Sequence, residues 1–540
     1  MVELWRSITK KEWRLVMALA GVIIIVTAIP YLYGYFTTPV GMAYTGVHYL
    51  TPGDINVMLS NIEQVKQGHL IFINPYTAEP QHRWLVNPLW LSIGAMAKIF
   101  SLPNLLAYHI ARSIWIVIFF VVMYLFLMFM FSDRRKRLWM MVIIIASSGL
   151  GLFFNPFLFD LTNLYEHPTD TWVPESITFL TLYHSPHLIA SLTLIILVFL
   201  LMLLAFDTNR WRYSIGAGVS CFFLLWFHPF NGPTIFSVLG VYMLTMFFRS
   251  RRIIWSYVRH YAVLCVFPIP IVIYMYMMSK YDWVIRMWNQ QNVLPSPSVW
   301  MYLIGYGLLI PLGVYGLWIT CKKLDSKGVF IIGWLATSAL LVYFPIYFQR
   351  RMIEGFHIPL AILAALALLA LVDRWRDPRP GSWQLKLSLL VAFCAIFLPL
   401  TNIQIMGQDI FKYQTNKEYP YYLPQTEIES MQWLKAHTTD RDIIFSTYEI
   451  GNFIPAYSGR VVWIGHGPQT INLEEKYIQN AWFWWQDDIN GSKRQWLHDQ
   501  RVTYLWYGPN EKNAGAYVPD TKTYLEKVFS NSDVSLYRVQ

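Results

Sequence analysis

Charged residues are scarce in this sequence. They form 14% of its 540 residues, whereas hydrophobic residues form 55%, a balance too apolar for an ordinary soluble globular protein. The apolar residues recur in runs of about 16–25, roughly the length that a helix needs to cross a bilayer core. The sequence therefore predicts a multi-pass protein of the plasma membrane.

Cysteine is rare, and the common signatures of soluble enzymes are missing. The four cysteines lie in or beside apolar runs without a CxxC pair, which excludes a disulfide framework and a zinc knuckle. The motifs GxGxxG, GxxxxGK[ST], HExxH and GxSxG do not occur. Because the P-loop that binds nucleotide phosphates is absent, the sequence weighs against an ATP-driven pump.

Eleven of the apolar runs are predicted to span the membrane. A further run, 85–101, is short and interrupted at Asn87-Pro88, so we expect it to lie in the outer interface. The predicted outer loops are 35–102, which includes this run, and 155–178. The predicted spans are 14–34, 103–131, 138–154, 180–206, 213–229, 234–248, 256–278, 299–320, 328–347, 356–372 and 385–401.

The net charge of +10 comes from the membrane part, residues 1–401. Residues 402–540 contain 13 basic and 16 acidic residues, so the positive excess lies before them. Basic residues cluster between alternate spans, as at 132–137 and 249–252, and the positive-inside rule assigns those segments to the cytoplasm. We therefore expect a cytoplasmic N-terminus, an extracytoplasmic C-terminal part and no nucleic-acid partner.

Residues 402–540 are predicted to form a small α/β domain outside the membrane. The long apolar runs end before it, and short buried-strand patterns appear at 442–446, 460–464, 502–507 and 534–538. Amphipathic helical segments lie between these patterns. Alternating strands and helices favour a mainly parallel sheet.

Three short segments occur in a characteristic order: Gly53-Asp54, then Asn87-Pro88-Leu89, then Ala111-Arg112-Ser113. With this order the chain resembles membrane glycosyltransferases of the C superfamily (GT-C), which use polyprenyl-phosphate-linked sugars. The resemblance implies an all-α membrane bundle, here of about eleven transmembrane helices, plus the small outer α/β domain. It also implies hexosyl or pentosyl transfer to a glycan, lipid or protein acceptor at the outer face.

The resemblance gives Asp54 the role of catalytic base. Such a transfer needs a group that takes the proton of the acceptor hydroxyl. The alternative is that Asp54 only caps a helix beginning at Ile55. Because Ile55 and Asn56 follow it, the acidic pair common in the superfamily is missing, and a second carboxylate would have to come from the 155–178 loop.

Arginines are the candidates for the donor phosphate. Arg350 and Arg351 lie at the outer ends of the spans predicted at 328–347 and 356–372, and an arginine fork matches phosphate geometry. Arg112, near the outer end of the second span, is a further candidate. The alternative is that these arginines are ordinary interfacial anchors.

Six acidic and histidine residues on or near the predicted outer face could orient substrate or hold a divalent cation. Each also has a structural alternative as a loop charge, a cap or a turn residue, and the metal is unknown. Asp170, in the predicted outer loop 155–178, is interpreted as a solvated charge. The six candidates are Asp160, Glu175, His184, His187, His228 and Glu354.

Two functions outside sugar transfer are open. A transporter or flippase of lipid-linked glycans should carry charged residues in mid-membrane, often beside broken helices. Here the predicted spans hold almost no central charges and the polar groups gather at one face. This distribution favours chemistry at the membrane surface over transport. A non-catalytic scaffold that binds envelope partners through residues 402–540 is the other alternative.

Overall fold

A computed structural model describes residues 2–154, 164–375, 382–488 and 491–540 of the chain. The chain divides into two compact units. The first unit contains residues 1–30, 110–274 and 294–408, and the second contains 31–109, 275–293 and 409–540. The division into compact units does not show which residues lie in the membrane. The domain boundary expected between residues 401 and 402 therefore stays a prediction.

The first unit is helical. Its helices are shorter than the predicted spans in several places, because some spans are split into two helices. Helices that lie wholly or partly in this unit are Val2–Ser7, Lys10–Phe36, Asn104–Met130, Arg134–Ala146, Gly151–Phe154, Thr178–His184, Pro186–Thr208, Trp211–Phe227, Gly232–Ser250, Trp255–Val266, Ile269–Tyr281, Val299–Tyr306, Leu309–Lys322, Ser326–Leu341, His357–Trp375, Ser382–Phe397 and Leu400–Thr415.

The number of spans is smaller than predicted among the described residues. Eight helical segments there are long and apolar enough to cross a membrane, and a ninth arises if Val299–Tyr306 and Leu309–Lys322, bent by 82°, form one span. The predicted spans at 213–229 and 328–347 correspond to Trp211–Phe227 and Ser326–Leu341, of 17 and 16 residues. The chain is thus a multi-pass membrane protein, whereas eleven spans are not confirmed.

The predicted span 180–206 is broken near its N-terminal end. Thr178–His184 ends before Ser185, which is extended at φ −151° and ψ 148°, and Pro186 opens the next helix. A residue before proline avoids the helical region, and proline fits the first helical position because its missing N–H is not needed there. The break places His184 and His187 on either side of a turn.

Helix packing in the first unit relies on small residues. Among the span candidates, Pro186–Thr208 is the most enclosed, because 94% of its most apolar stretch is buried. Leu309–Lys322 lies against His357–Trp375, where a Cβ on Gly316 would collide with the Leu363 carbonyl group. Close backbone approach through glycine is a common way to associate helices in membranes.

The second unit contains the short helix Pro88–Ile99 in place of the predicted segment 85–101. The Asn87 side chain accepts hydrogen bonds from the backbone N–H groups of Leu89 and Trp90, and Pro88 occupies the first helical position. Asn87-Pro88 therefore starts this helix rather than interrupting it. Its 12 residues are too few to cross a bilayer.

Two sheets lie in the second unit. Strand β1 (Met42–Tyr44) pairs antiparallel with β2 (Tyr422–Pro424). The five-stranded sheet contains β3 (Ile443–Phe445), β4 (Val461–Val462), β5 (Tyr504–Tyr507), β6 (Leu525–Ser530) and β7 (Ser535–Val539), in the order β4-β3-β5-β7-β6.

The five-stranded sheet is mixed rather than mainly parallel. β3 pairs parallel with β4 and β5, whereas β7 pairs antiparallel with β5 and β6. The difference arises at β6, where no strand was predicted: β6 and β7 form a hairpin, and the two strands of a hairpin are antiparallel. The α/β character of the C-terminal part is otherwise as expected.

Helices of the second unit flank this sheet and build its core. The core contains Phe445, Trp463, Phe483, Trp484 and Leu505, all nearly inaccessible to solvent. The helices of the second unit that have not been named so far are Asp54–Lys66, Trp283–Gln291, Gln425–His437, Tyr448–Gly451, Ile454–Ser458, Leu473–Trp485, Ser492–Asp499 and Pro509–Ala514.

Candidate active site

Asp54 is the first residue of the helix Asp54–Lys66, and Gly53 occupies the N-cap position. The alternative that Asp54 caps a helix beginning at Ile55 is therefore wrong by one residue. A carboxylate in the first turn is still favoured by the helix dipole. Its side chain remains 45% exposed, so the group is open to a reactant.

His466 is a partner of Asp54 within the second unit. Its Nε2 lies 3.2 Å from Asp54 Oδ1, while the imidazole is only 8% exposed. A Cβ on Gly53 would come within 2.9 Å of His466 Cδ2, so glycine before Asp54 allows this approach. Gly465 likewise lies close to Gly451, because a Cβ on Gly465 would be 2.7 Å from the Gly451 carbonyl oxygen.

A pocket of about 360 Å³ adjoins this pair in the second unit. Gly53, which precedes Asp54, and His466 both line it, and we call it the Asp54 pocket. Its lining is largely aromatic and proline-rich, with one amide and one imidazole, a composition typical of small-molecule sites. The lining residues are Pro52, Gly53, Tyr419, Pro420, Tyr448, Asn452, Phe453, His466, Gly467 and Pro468.

Four predicted site residues come together in the first unit. Arg351 Nη1 lies 3.0 Å from His228 Nε2 and 3.4 Å from Glu175 Oε1. His228 Nδ1 lies 2.8 Å from Glu354 Oε2. These four residues, named here the Arg351 cluster, come from segments far apart in the sequence.

Burial distinguishes the members of the Arg351 cluster. Glu354 is inaccessible, and His228 and Glu175 are nearly so, whereas Arg351 keeps 22% of its side chain exposed. Burial raises the pKa of Glu175, but the attraction of Arg351 and Arg350 outweighs it and leaves that pKa below its ordinary value. Glu175 is therefore ionised and serves as a counter-ion.

Arg350 lies next to the cluster on an aromatic ring. Its guanidinium carbon is 4.5 Å from the centre of the Trp172 ring, and that of Arg351 is 4.7 Å from the Phe230 ring. Both arginines thus gain cation–π stabilisation. Within the described parts of the chain, the Nε atoms of both are buried and have no hydrogen-bond partner, so neither guanidinium is fully hydrogen-bonded.

The other predicted site residues are not hydrogen-bonded members of the Arg351 cluster, although His187 lies next to it. Arg112 is almost completely buried and donates through Nη1 to the carbonyl oxygens of Thr27 and Tyr183. His184 is buried at the end of its helix. The His187 ring centre is 6.1 Å from that of His228, with Nδ1 3.0 Å from Ser185 Oγ. Asp160 lies outside the described residues.

A ready-made cation site is not found in the described ranges, which omit 155–163, 376–381 and 489–490. No group of three or more histidine, cysteine or acidic side chains there is arranged to hold a metal ion. Glu175 and both ring nitrogens of His228 are already engaged within the Arg351 cluster. These two candidates therefore contact Arg351 in this arrangement.

Asp170 contradicts its interpretation as a solvated loop charge. It is fully buried, and its Oδ2 accepts hydrogen bonds from the backbone N–H groups of Gly149 and Gly151, both 3.1 Å away. Burial raises its pKa to about 7 in spite of these bonds. The residue joins two loop segments of the first unit.

Several residues of both regions were not predicted as site residues. His466 and Asn452 had a weak signal, since both stand in glycine-containing turns of the C-terminal part. Asn231 lies in the His228–Pro233 turn and donates to Glu354 Oε2 at 2.7 Å. Trp172 gave no signal beyond its residue type.

Solved structures with a similar architecture include an oligosaccharyltransferase, ArnT and an arabinofuranosyltransferase. The oligosaccharyltransferase of Archaeoglobus fulgidus, tethered to an acceptor peptide, matches with a TM-score of 0.55 and 14% identity, over 92% of this chain and 69% of that one. ArnT from Cupriavidus metallidurans, bound to undecaprenyl phosphate, matches with a TM-score of 0.51 and 11% identity, over 98% of both chains.

A third match is the mycobacterial arabinofuranosyltransferase AftD, with a TM-score of 0.52 and 13% identity, over 97% of this chain and 40% of that one. No protein-family model matches the chain, and no curated protein matches its sequence. At these identities the likeness concerns the fold. The chain therefore shares with these three neighbours a helical membrane architecture of the kind that the resemblance implies, whereas the expected eleven spans are not confirmed.

Proposed function

Because the chain has the GT-C fold, we propose that it transfers a hexosyl or pentosyl group from a polyprenyl-phosphate-linked donor to a glycan, lipid or protein acceptor at the outer membrane face. The observation that carries this proposal is the Asp54 pocket. A half-exposed carboxylate is paired there with a buried histidine, and this histidine lines a cavity of about 360 Å³.

Asp54 acts as the base in this reaction. Its carboxylate takes the proton of the acceptor hydroxyl while the hydroxyl oxygen bonds to the anomeric carbon of the donor. The bond between that carbon and the phosphate oxygen breaks, and polyprenyl phosphate leaves with the electron pair. His466, donating to Asp54 Oδ1, holds the carboxylate in place.

Arg351 and Arg350 receive the phosphate. A guanidinium donates two parallel hydrogen bonds to a phosphate and stabilises the charge that the leaving group gains. Both arginines are partly exposed, while Arg112 is the least accessible of the three candidates.

A divalent cation at the phosphate is a separate part of the proposal. Chelation with EDTA followed by addition of Mg²⁺ or Mn²⁺ tests it. Loss and recovery of transfer would assign a role to the cation, whereas an unchanged rate would leave the phosphate to the arginines alone.

Transport of a lipid-linked glycan is the second candidate. The break at Ser185 and the 82° bend after Tyr306 are features that transporters use at their binding sites. A transporter would move a labelled lipid-linked sugar across a vesicle bilayer without releasing polyprenyl phosphate, so one vesicle assay with two readouts separates the functions.

Purified protein in vesicles, offered a panel of polyprenyl-phosphate hexoses and pentoses, tests the proposal. The wild type should release polyprenyl phosphate from at least one donor, and Asp54→Asn should lower this rate by about 10²–10⁴-fold, the usual contribution of a positioned base. Asp499→Asn, an exposed change in the same unit, is the control. Equal rates in Asp54→Asn and wild type would remove Asp54 from catalysis.

A further inference from the structure

The buried part of the Arg351 cluster has a defined protonation pattern. His228 Nδ1 faces Glu354 Oε2 at 2.8 Å, and His228 Nε2 faces Arg351 Nη1 at 3.0 Å. A guanidinium can only donate, so Nε2 must be the bare nitrogen that accepts. The proton of a neutral imidazole then sits on Nδ1, where the Glu354 carboxylate accepts it.

Asn231 supports this pattern from the other side. Its Nδ2 lies 2.7 Å from both Glu354 Oε2 and Ser191 Oγ. The two amide hydrogens are used by these acceptors, so the 3.0 Å approach of Nδ2 to His228 Nδ1 is packing. The carboxylate of Glu354 is thus fixed by a second donor and cannot turn away from His228.

The backbone also directs Glu354 inward. Gly355 follows it with a φ of +86°, in the left-handed region that favours glycine. This residue connects the short 3-10 helix Gln349–Ile353, which carries both arginines, to the helix His357–Trp375. The turn lets Arg351 and Glu354 meet opposite nitrogens of the same imidazole.

We propose that Glu354 and His228 are positioning residues for Arg351: Glu354 imposes the Nδ1–H tautomer on His228, and His228 Nε2 fixes the guanidinium that receives the donor phosphate. A carboxylate that orients a histidine through its second nitrogen is a general device of functional sites. This inference rests on the proposed function for the identity of the anion. The ordering of Arg351 rests on the cluster itself.

The groups that face His228 give it no other assignment. Arg351, Glu354 and Asn231 contact its nitrogens, and Phe230 and His187 lie against its ring, at centre distances of 5.1 and 6.1 Å. A histidine with a purely structural role could be satisfied by any two hydrogen-bond partners. Here the partners form a directed chain from a buried carboxylate to a partly exposed guanidinium.

Binding of undecaprenyl phosphate alone to the purified protein in detergent is the primary test. His228→Ala should weaken this binding by about tenfold, the value of a hydrogen bond to a charged group. In transfer assays it should raise the KM of the donor by a similar factor and change kcat much less. His260→Ala is the matched control, because His260 is equally buried and its two ring nitrogens bond Ser214 and Asn209.

A double variant separates positioning from general damage. His228→Ala combined with Arg351→Ala should bind no more weakly than Arg351→Ala alone, since His228 acts only through Arg351. Additive losses, or a His228→Ala protein that binds like His260→Ala, would overturn the inference. If His228→Ala does not fold, Glu354→Leu, which is similar in volume and removes both acceptor oxygens, is held to the same two criteria.

The two proposals fail differently. A wild type that binds undecaprenyl phosphate with the expected pattern of variants but releases none from any sugar donor would end the proposed function and support the positioning. Sugar transfer in the wild type with unchanged binding in His228→Ala would end the positioning and leave the proposed function standing.

Discussion

The Arg351 cluster and the Asp54 pocket differ in how their charges are treated. In the first unit, the carboxylates of Glu175 and Glu354 and the ring of His228 are removed from solvent and each has a partner. In the second unit, Asp54 is 45% exposed beside a cavity, with only its histidine partner buried. One region is organised before a ligand arrives, and the other has its reactive group open.

This difference corresponds to the two tasks of a group transfer. Holding an anion benefits from donors fixed in advance, because their ordering is then complete when the anion binds. Removing a proton requires a base that the acceptor hydroxyl can reach. The comparison therefore predicts that changes in the first unit affect donor binding and stability, whereas changes in the second unit affect turnover.

Asp170 gives the largest expected effect and tests how firmly the first unit buries its carboxylates. Its pKa rises from 3.8 to about 7 on burial, so its contribution to stability is complete below the unfolded pKa and is lost as pH rises through the folded one. Between these two pKa values, the contribution of Asp170 to the free energy of unfolding should fall by about 4 kcal/mol. Asp170→Asn should lack this loss.

Thermal unfolding of both proteins in detergent at pH 5 and pH 8 measures the effect. The difference between variant and wild type should shift in favour of the variant at the higher pH. A difference that is the same at both pH values would mean that Asp170 does not titrate as a buried group.

Arg351 comes next and tests whether the first unit acts on the donor. Arg351→Ala should raise the KM of the donor by about 10–100-fold, because charged hydrogen bonds to phosphate are worth about 1.5–3 kcal/mol. Arg351→Lys should fall between, since lysine keeps the charge and loses the fork. The exposed Arg252→Ala is the control, and a loss confined to kcat would contradict the comparison.

His466 tests the second unit in the opposite direction. His466→Ala frees the Asp54 carboxylate from its 3.2 Å contact and should lower kcat by about tenfold, the value of one charge-assisted hydrogen bond. Steady-state kinetics with His498→Ala, an exposed histidine of the same unit, as control measure it. A raised donor KM with normal kcat would assign His466 to binding instead.

Tyr448 should show the smallest effect. It lines the Asp54 pocket, and Tyr448→Leu should raise the KM of the acceptor by about threefold, within the range of aromatic contacts. Tyr448→Phe, which keeps the ring, is the matched control. If Tyr448→Phe raises the KM of the acceptor as much as Tyr448→Leu does, the contribution comes from the hydroxyl and not from the aromatic face.

The overall architecture could be predicted because hydropathy and length determine where helices form. The break at Ser185 and the start at Asn87-Pro88 also have local signals, which the proline rules explain. The number of spans could not be predicted, since Trp211–Phe227 and Ser326–Leu341 are apolar but short. β6 was missed because its residues alternate weakly in burial.

The candidate site was predictable in residue type and not in pairing. Arg351, His228, Glu354 and Glu175 were selected for their chemistry, and the structure joins them. Asp170 was misjudged because a polar loop gives no sign that a carboxylate will be buried within it. His466 lies 412 residues from Asp54, and no local pattern relates residues at such a separation.

The account is tested most directly by measuring donor binding and polyprenyl phosphate release on the same Asp54→Asn preparation. The protein is first saturated with a polyprenyl-phosphate sugar that the wild type uses, and release is then followed in a single turnover. We predict donor affinity within about twofold of the wild type, because the Arg351 cluster is intact, and release slowed by about 10²–10⁴-fold. Release at the wild-type rate from a normally bound donor would contradict the assignment of the base to Asp54.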